Sequence, residues 1–119
     1  MKIVVIGSFN TDMIVKVPRI PKPGETVLGG KFSTAAGGKG ANQAVAAARI
    51  GGDVTFIARL GDDNLGKEAI ESFESESINT RYIKKDVIDP SGVALIFVDE
   101  KGENSIGVAL GANSKLSSM

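Results

Sequence analysis

Hydrophobic residues along this chain fall into short continuous runs and into stretches with helical spacing, and this pattern predicts its elements. Residues 3–6 form a β-branched run that stops at Gly7, which is typical of a strand covered on both faces in a parallel sheet. Residues 41–50 and 65–75 predict helices, and residues 54–61 between them predict a second strand. This alternation predicts an α/β fold with a parallel-sheet core and flanking helices.

The remaining apolar runs predict a second, smaller sheet. Residues 13–17 and 26–28 flank a proline-rich turn, which indicates a hairpin-like segment that projects from the core. Gly92–Val98 and 105–109 flank a polar loop that contains a glycine, as an antiparallel hairpin requires. We therefore expect a small antiparallel sheet beside the α/β core.

Two segments predict other features. Residues 33–40 are small and glycine-rich, so they predict a loop that leads into the helix at 41–50. Residues 116–119 are typical of the N-cap and first turn of a helix whose body is missing. From this ending we expect the chain to be part of a longer protein.

Composition limits the classes of function. The 119 residues suffice for one compact domain, and 14 basic side chains balance 14 acidic ones, so no positive field favours nucleic acid. The absence of histidine and cysteine excludes Ser-His-Asp and Cys-His nucleophiles, zinc-finger sites and disulfides. Apolar runs are far shorter than the roughly 20 residues of a membrane helix. We expect a cytoplasmic protein that binds neither nucleic acid nor membrane.

The glycine-rich segment lacks the known nucleotide motifs. Gly37–Gly40, read as Gly-Gly-Lys-Gly, has Ser33 where a Walker A loop needs glycine, and no Gly-x-Gly-x-x-Gly follows the first strand. The segment still precedes a helix, whose free N–H groups bind an oxyanion or a sugar hydroxyl with Lys39 nearby. A tight packed turn with a solvated lysine is an equal alternative.

Acidic and amide side chains near strand ends have two interpretations each. Asn10 and Asp12 follow the first strand, at the sheet edge where α/β proteins bind ligands, although turn or cap residues are also typical there. Asp62 and Asp63 are candidates for paired acid-base carboxylates, but N-capping of the next helix is favoured.

Five short motifs along the chain have the order and the spacing of the motifs of one known family. The most specific is Gly-Gly-Lys-Gly-Ala-Asn-Gln-Ala at 37–44. The others are Asn-Thr-Asp at 10–12, Pro-Gly-Glu-Thr at 23–26, Gly-Asp-Asp at 61–63 with Gly66, and Gly-Val-Ala at 92–94. Together they resemble the ribokinase family, within the PfkB-type carbohydrate kinase superfamily.

This resemblance implies an enzyme that uses ATP to phosphorylate the 5-hydroxyl of D-ribose. It implies a ribokinase-like α/β fold with a small antiparallel β lid, which also forms a homodimer interface. Residues 1–119 match the N-terminal, sugar-binding part of that fold, with the lid at 12–33 and 91–110 and the rest in the α/β core.

The resemblance also implies which residues contact the sugar. A carboxylate accepts hydrogen bonds from neighbouring hydroxyls, whereas asparagine amides and backbone N–H groups donate them. Ala94 and Ile106 on the lid strands are expected to cover the sugar. The other expected contacts are Asn10, Thr11, Asp12, Gly38, Lys39, Gly40, Ala41 and Asn42.

The family's catalytic base and its sites for ATP, Mg²⁺ and K⁺ belong to a second half, so they are expected outside this chain. We expect no catalytic residue on this chain, and the chain alone is expected to be inactive because phosphoryl transfer needs those groups. Two alternatives stay open: a truncated, non-catalytic module that binds sugar or dimerises, and a kinase of another sugar or nucleoside. A nicotinamide-dependent oxidoreductase is disfavoured by the missing fingerprint.

Overall fold

The computed structural model describes residues 1–116, which form eight strands, two α-helices and a short 3₁₀ helix. Residues 117–119, which belong to the predicted helix start, lie outside the described residues. In chain order the elements are β1 (Lys2–Ile6), β2 (Asn10–Lys16), β3 (Lys31–Gly37), α1 (Lys39–Arg49), β4 (Asp53–Ile57), β5 (Arg59–Gly61), α2 (Asn64–Ser75), β6 (Lys84–Asp86), β7 (Gly92–Val98), β8 (Asn104–Ala109) and the 3₁₀ helix Gly111–Lys115.

The α/β part has two short parallel pairs of strands beneath the helices. Strand β1 pairs with β4, and β5 pairs with β6. Phe73 of α2 packs edge-to-face against Phe56 of β4 and against Phe9, with ring centroids 5.2 and 5.5 Å apart. Ala44 of α1 is fully buried in the same core. The small residues of α1 therefore let that helix lie close to the strands.

The other part is a four-stranded sheet in the order β3-β2-β7-β8. Strands β3 and β8 are antiparallel to their neighbours, but β2 and β7 run parallel. The sheet is thus mixed, whereas the two hairpin-like patterns predicted antiparallel pairing throughout. Parallel pairing follows because the α/β elements from α1 to β6 separate the central strands and return the chain to the same end of the sheet.

Three local predictions were wrong. Residues 26–28 form no strand, and most of the predicted loop at 33–40 is strand β3, which pairs with β2 along its full length. Alternation of side chains does not reveal β3 because its residues up to Ala36 are all exposed. The predicted strand at 54–61 is two strands in separate sheets, divided at Ala58.

The predicted helices and the strands near the end of the chain are confirmed within a few residues. Helix α1 begins at Lys39, two residues before the predicted start, and α2 begins at Asn64. Among the residues that the structure describes, no helix is both long and apolar enough to cross a membrane.

Candidate functional site

Asn10 and Asp12 lie on one face of the four-stranded sheet, at its junction with the α/β part. Asn10 pairs in register with Gly37 and Gly92, and Asp12 pairs with Ala94. Side chains of cross-strand partners project from the same face, and successive residues alternate. The amide, the carboxylate and the buried methyl group of Ala94 are therefore neighbours on this face.

The Asp12 carboxylate is packed against the end of β3. A Cβ atom built on Gly37 would lie 2.5 Å from Asp12 Oδ1 and 2.7 Å from Oδ2, so glycine at position 37 leaves room for the carboxylate in this position. Gly37 directly precedes the N-cap of α1. The carboxylate and the first turn of α1 therefore belong to one site.

Tight backbone contacts fix the start of α1 beside β2. Its N-cap, Gly38, has a φ of 95°, and a Cβ there would lie 2.6 Å from the carbonyl oxygen of Ser8. The Ala41 N–H donates to that carbonyl over 3.1 Å. A Cβ on Gly40 would lie 2.6 Å from Gly7 Cα. The glycines of the specific motif thus allow the helix N-terminus to lie against the β1–β2 connection, which leads directly into the strand that carries Asp12.

Lys39 and Asn42 are exposed residues on the first turns of α1. Asn42 borders a cleft of about 380 Å³ between α1 and α2, whose other lining residues include Val45 and Ser72. Lys39 is therefore available to a ligand at the N-terminal end of α1, whereas the cleft beside Asn42 shares Ala36 and Ser72 with the cavity that Thr11 lines.

Thr11 occupies the opposite face of the sheet from its two neighbours. Its side chain lines a cavity of about 180 Å³ against α2, together with Thr34 and Leu65. The structure therefore brings the side chains of Asn10 and Asp12 together but separates that of Thr11 from them, leaving its backbone as the part that adjoins the site.

Ile106 lies on the same face as Asp12, farther along the sheet. It pairs with Ile96, two residues after Ala94 on β7, and its side chain is 54% exposed. Ala94 and Ile106 therefore contribute to an apolar strip beside the carboxylate.

Sequence reasoning missed Asn113, which holds the start of β2. Its Oδ1 accepts the Phe9 N–H over 3.1 Å, and its Nδ2 donates to the Phe9 carbonyl over 2.8 Å and to Asn10 Oδ1 over 3.0 Å. These partners are more than 100 residues away in sequence, so no local pattern signals the contact.

The described residues do not fit a metal centre. Across residues 1–116, no three His, Cys, Asp or Glu side chains gather where they could hold an ion. Of the adjacent carboxylates Asp62 and Asp63, that of Asp63 is already engaged in three hydrogen bonds. It accepts from the Gly66 N–H, the Ser91 N–H and the Ser91 hydroxyl at 2.7–2.9 Å. Asp63 is therefore a helix cap that is also hydrogen-bonded to Ser91 at the start of β7.

Comparisons with known proteins agree on one family. The model of the pfkB family carbohydrate kinases matches residues 1–119. The chain is 49% identical over 115 residues to a ribokinase of Haemophilus influenzae, covering 97% of this chain and 38% of that protein. It is 45% identical over 117 residues to a deoxyribokinase of Salmonella typhi, covering 98% and 38%.

A solved structure extends the agreement to the fold. The Arabidopsis thaliana ribokinase complexed with ribose and ATP matches with a TM-score of 0.85 and 38% identity, over 92% of this chain and 36% of that one. The chain thus spans less than two fifths of the length of these relatives. Since the family model covers every residue and the fold matches the corresponding part of a ribokinase, this chain belongs to the pfkB family of carbohydrate kinases.

Proposed function

We propose that this chain supplies the sugar-binding half-site and the β lid of a kinase that converts D-ribose and ATP into D-ribose 5-phosphate and ADP. The observation that carries the proposal is the Asp12 carboxylate, which lies against Gly37, beside Ala94 and next to the first turn of α1. A carboxylate at a helix N-terminus, with an apolar neighbour on one side, suits a ligand that has both hydroxyls and C–H surface.

In this proposal each site residue has a defined part. Asp12 accepts hydrogen bonds from two sugar hydroxyls, while Asn10, Asn42 and the N–H groups of Gly38, Lys39 and Gly40 that face the ligand act as donors. Ala41, whose N–H donates to the Ser8 carbonyl, adjoins the sugar through the first turn of α1. Lys39 adds a mobile cation, and Thr11 contributes through its backbone. Ala94 and Ile106 cover the sugar and keep water from it.

The rest of the proposed enzyme supplies the chemistry. The catalytic base and the sites for ATP, Mg²⁺ and K⁺ are assigned to the part outside this chain, and the reaction uses ATP of the cytoplasm. The lid is proposed to form a homodimer, because exposed apolar side chains on the four-stranded sheet, such as Phe32 and Leu95, favour association.

Deoxyribose is the second candidate substrate. The Salmonella typhi deoxyribokinase matches the chain at 45% identity, close to the 49% of the Haemophilus influenzae ribokinase. The two sugars differ by one hydroxyl, and a site that hydrogen-bonds a hydroxyl strongly rejects the analogue that lacks it. The ratio of kcat/KM for ribose to that for deoxyribose therefore shows whether the site hydrogen-bonds this hydroxyl.

The test is a substrate scan with the full-length protein that carries this segment. ADP release is measured with ribose, deoxyribose, fructose and adenosine under saturating ATP, Mg²⁺ and K⁺. We expect the highest kcat/KM with ribose. A higher value with deoxyribose or adenosine would reassign the substrate, and no sugar-dependent ADP release would favour a non-catalytic sugar-binding or dimerisation module.

A further inference from the structure

The side chains of Asn113 and Asn10 are in direct contact. Asn113 belongs to the 3₁₀ helix that follows β8, and it contacts the backbone of Phe9 through both atoms of its side-chain amide. A backbone N–H only donates and a carbonyl only accepts. The two bonds to Phe9 therefore fix which end of the Asn113 amide is oxygen and which is nitrogen.

This orientation determines that of Asn10. Asn113 Nδ2 also faces the Asn10 side chain at 3.0 Å, and a donor there requires the acceptor Oδ1 of Asn10. Within residues 1–116, Asn10 Nδ2 forms no hydrogen bond that would occupy it. Asn10 thus presents an NH₂ donor on the face that carries Asp12, which as a carboxylate only accepts.

The surroundings leave little freedom for another arrangement. The preceding residue, Ala112, is fully buried and its N–H donates to the Pro90 carbonyl over 2.7 Å, which anchors the 3₁₀ helix. A Cβ on Gly92 would lie 2.5 Å from Asn10 Oδ1 and would also collide with Asn113 Nδ2. Glycine at position 92 therefore leaves the space in which the two amides meet.

We propose that Asn113 is a positioning residue that holds Asn10 as a hydrogen-bond donor to a hydroxyl oxygen of the bound sugar. The proposal rests on the proposed function, since it takes the ligand at Asp12 to be a sugar. It assigns opposite parts to two neighbouring side chains: Asp12 accepts from hydroxyls, and Asn10 donates to one.

The test is a double-mutant cycle in the full-length protein, with KM for ribose, KM for ATP, kcat and Tm measured for each variant. Asn113→Asp keeps an acceptor for the Phe9 N–H but removes the donor, so Asn10 turns its NH₂ toward position 113 and its oxygen toward the sugar. Asn10→Ala removes the donor outright and leaves the bonds of Asn113 to Phe9 in place. Asn64→Asp, at an exposed position on the first turn of α2, is the matched control.

We expect each of the two single variants to raise KM for ribose about 10-fold, with KM for ATP unchanged, because each removes the same hydrogen bond to the sugar. The double variant is expected to be no worse than the stronger single variant, since coupled residues are not additive. Asn64→Asp is expected to match the wild type.

Additive effects, or an unchanged KM for ribose in Asn10→Ala, would overturn the positioning of Asn10 even if the wild type phosphorylates ribose. If Asn113→Asp lowered Tm and kcat and raised KM for both substrates, without coupling to Asn10→Ala, Asn113 would have only a structural role. A wild-type protein that neither binds nor phosphorylates a sugar would instead refute the proposed function, and this inference with it.

Discussion

Asp12 is the residue on which the proposed sugar contact depends. Its carboxylate offers two acceptors beside Gly37 and at the start of α1. Asp12→Asn replaces one acceptor with a donor, and loss of a charged hydrogen bond costs about 1.5 to 3 kcal/mol. In the full-length protein we expect KM for ribose to rise roughly 10- to 100-fold, with Tm close to wild type.

Asp62→Asn makes the same change at an exposed carboxylate and is the control. Steady-state kinetics with varied ribose and fixed ATP give the measurement. Wild-type KM for ribose in a folded Asp12→Asn variant would make Asp12 a strand residue without a part in binding.

Asp86 is a nearly buried carboxylate that links stability to pH. It accepts hydrogen bonds from the N–H of Asp89 (2.9 Å), Arg59 Nε (2.9 Å) and the N–H of Ile88 (2.8 Å). These groups lower the pKa of Asp86 from 3.8 to about 2. Because the pKa in the folded state is below that in the unfolded chain, this stabilisation is complete above about pH 4 and is lost as the pH falls toward 2.

Asp86→Asn is therefore expected to flatten the decrease in the free energy of unfolding between about pH 5 and pH 2. Urea titrations of the wild type and the variant at several pH values check this. An equally steep decrease in both proteins would show that other carboxylates account for the acid sensitivity.

Helix α2 begins at a cap that also bonds to the four-stranded sheet. Burial raises the pKa of Asp63, but bonds from the Ser91 N–H, the Gly66 N–H and the Ser91 hydroxyl outweigh this, so its pKa lies below the ordinary value. Asp63→Ala removes the cap and leaves the N–H and the hydroxyl of the buried Ser91 without their acceptor. We expect a loss of about 2 kcal/mol in the free energy of unfolding, since caps and buried hydrogen bonds each contribute about 1 kcal/mol.

Asp62→Ala is the adjacent control, and because Asp62 is exposed we expect a change within about 0.5 kcal/mol. Chemical denaturation of both variants gives the comparison. If the two losses were equal, the network seen at Asp63 would contribute nothing to stability.

Helix α1 reaches the site only because two backbones meet at glycines. A Cβ on Gly40 would lie 2.6 Å from Gly7 Cα and 2.9 Å from Ser8 N, both backbone atoms. Helix propensity alone would favour alanine by about 1 kcal/mol, but overpacking of backbone against backbone costs about 1 to 3 kcal/mol. We therefore expect Gly40→Ala to lower Tm and to raise KM for ribose, because the helix N-terminus must shift.

Gln43→Ala, at an exposed position on the same helix, tests propensity without the clash and is expected to keep Tm and KM near wild type. Thermal melts and ribose kinetics on both variants are the measurement. A stabilised Gly40→Ala variant would contradict the close approach of α1 to the β1–β2 connection.

The four-stranded sheet exposes apolar side chains that one chain leaves uncovered. Leu95 is 54% exposed and Phe32 65%, on the face opposite Asp12. Patches of this kind mark association surfaces. We expect the full-length protein to sediment as a dimer at micromolar concentration and Leu95→Lys to shift it toward monomer.

Ile50→Lys introduces the same charge at an exposed apolar position at the end of α1, away from the sheet, and is expected to leave the association unchanged. Analytical ultracentrifugation of the three proteins decides between the outcomes. A wild type that is monomeric throughout would contradict a dimer formed through the lid.

Local sequence patterns were sufficient to predict an element wherever the residues of one short segment favour that element by themselves. The β-branched run at residues 3–6 predicted β1, although Val4 and Ile6 on one of its faces are exposed rather than covered. Helical composition and glycine stops predicted α1, and capping chemistry predicted the start of α2, where Asp63 accepts from the Gly66 N–H. The motif at 37–44 indicated the family for a related reason: its glycines meet steric needs of the helix start that few other residues satisfy.

Long-range contacts account for what those patterns missed. Strand β3 is defined by its hydrogen bonds to β2, which no alternation in its own exposed residues reveals. Thr11 is separated from Asp12 because residues 10–16 form a strand of the sheet, in which successive side chains alternate between faces, and the orientation of Asn10 follows from Asn113, more than 100 residues away. The spacing of residues along the chain does not tell which distant donor will meet which acceptor. Strand pairing and the Asn113–Asn10 contact are therefore decided only by the tertiary structure.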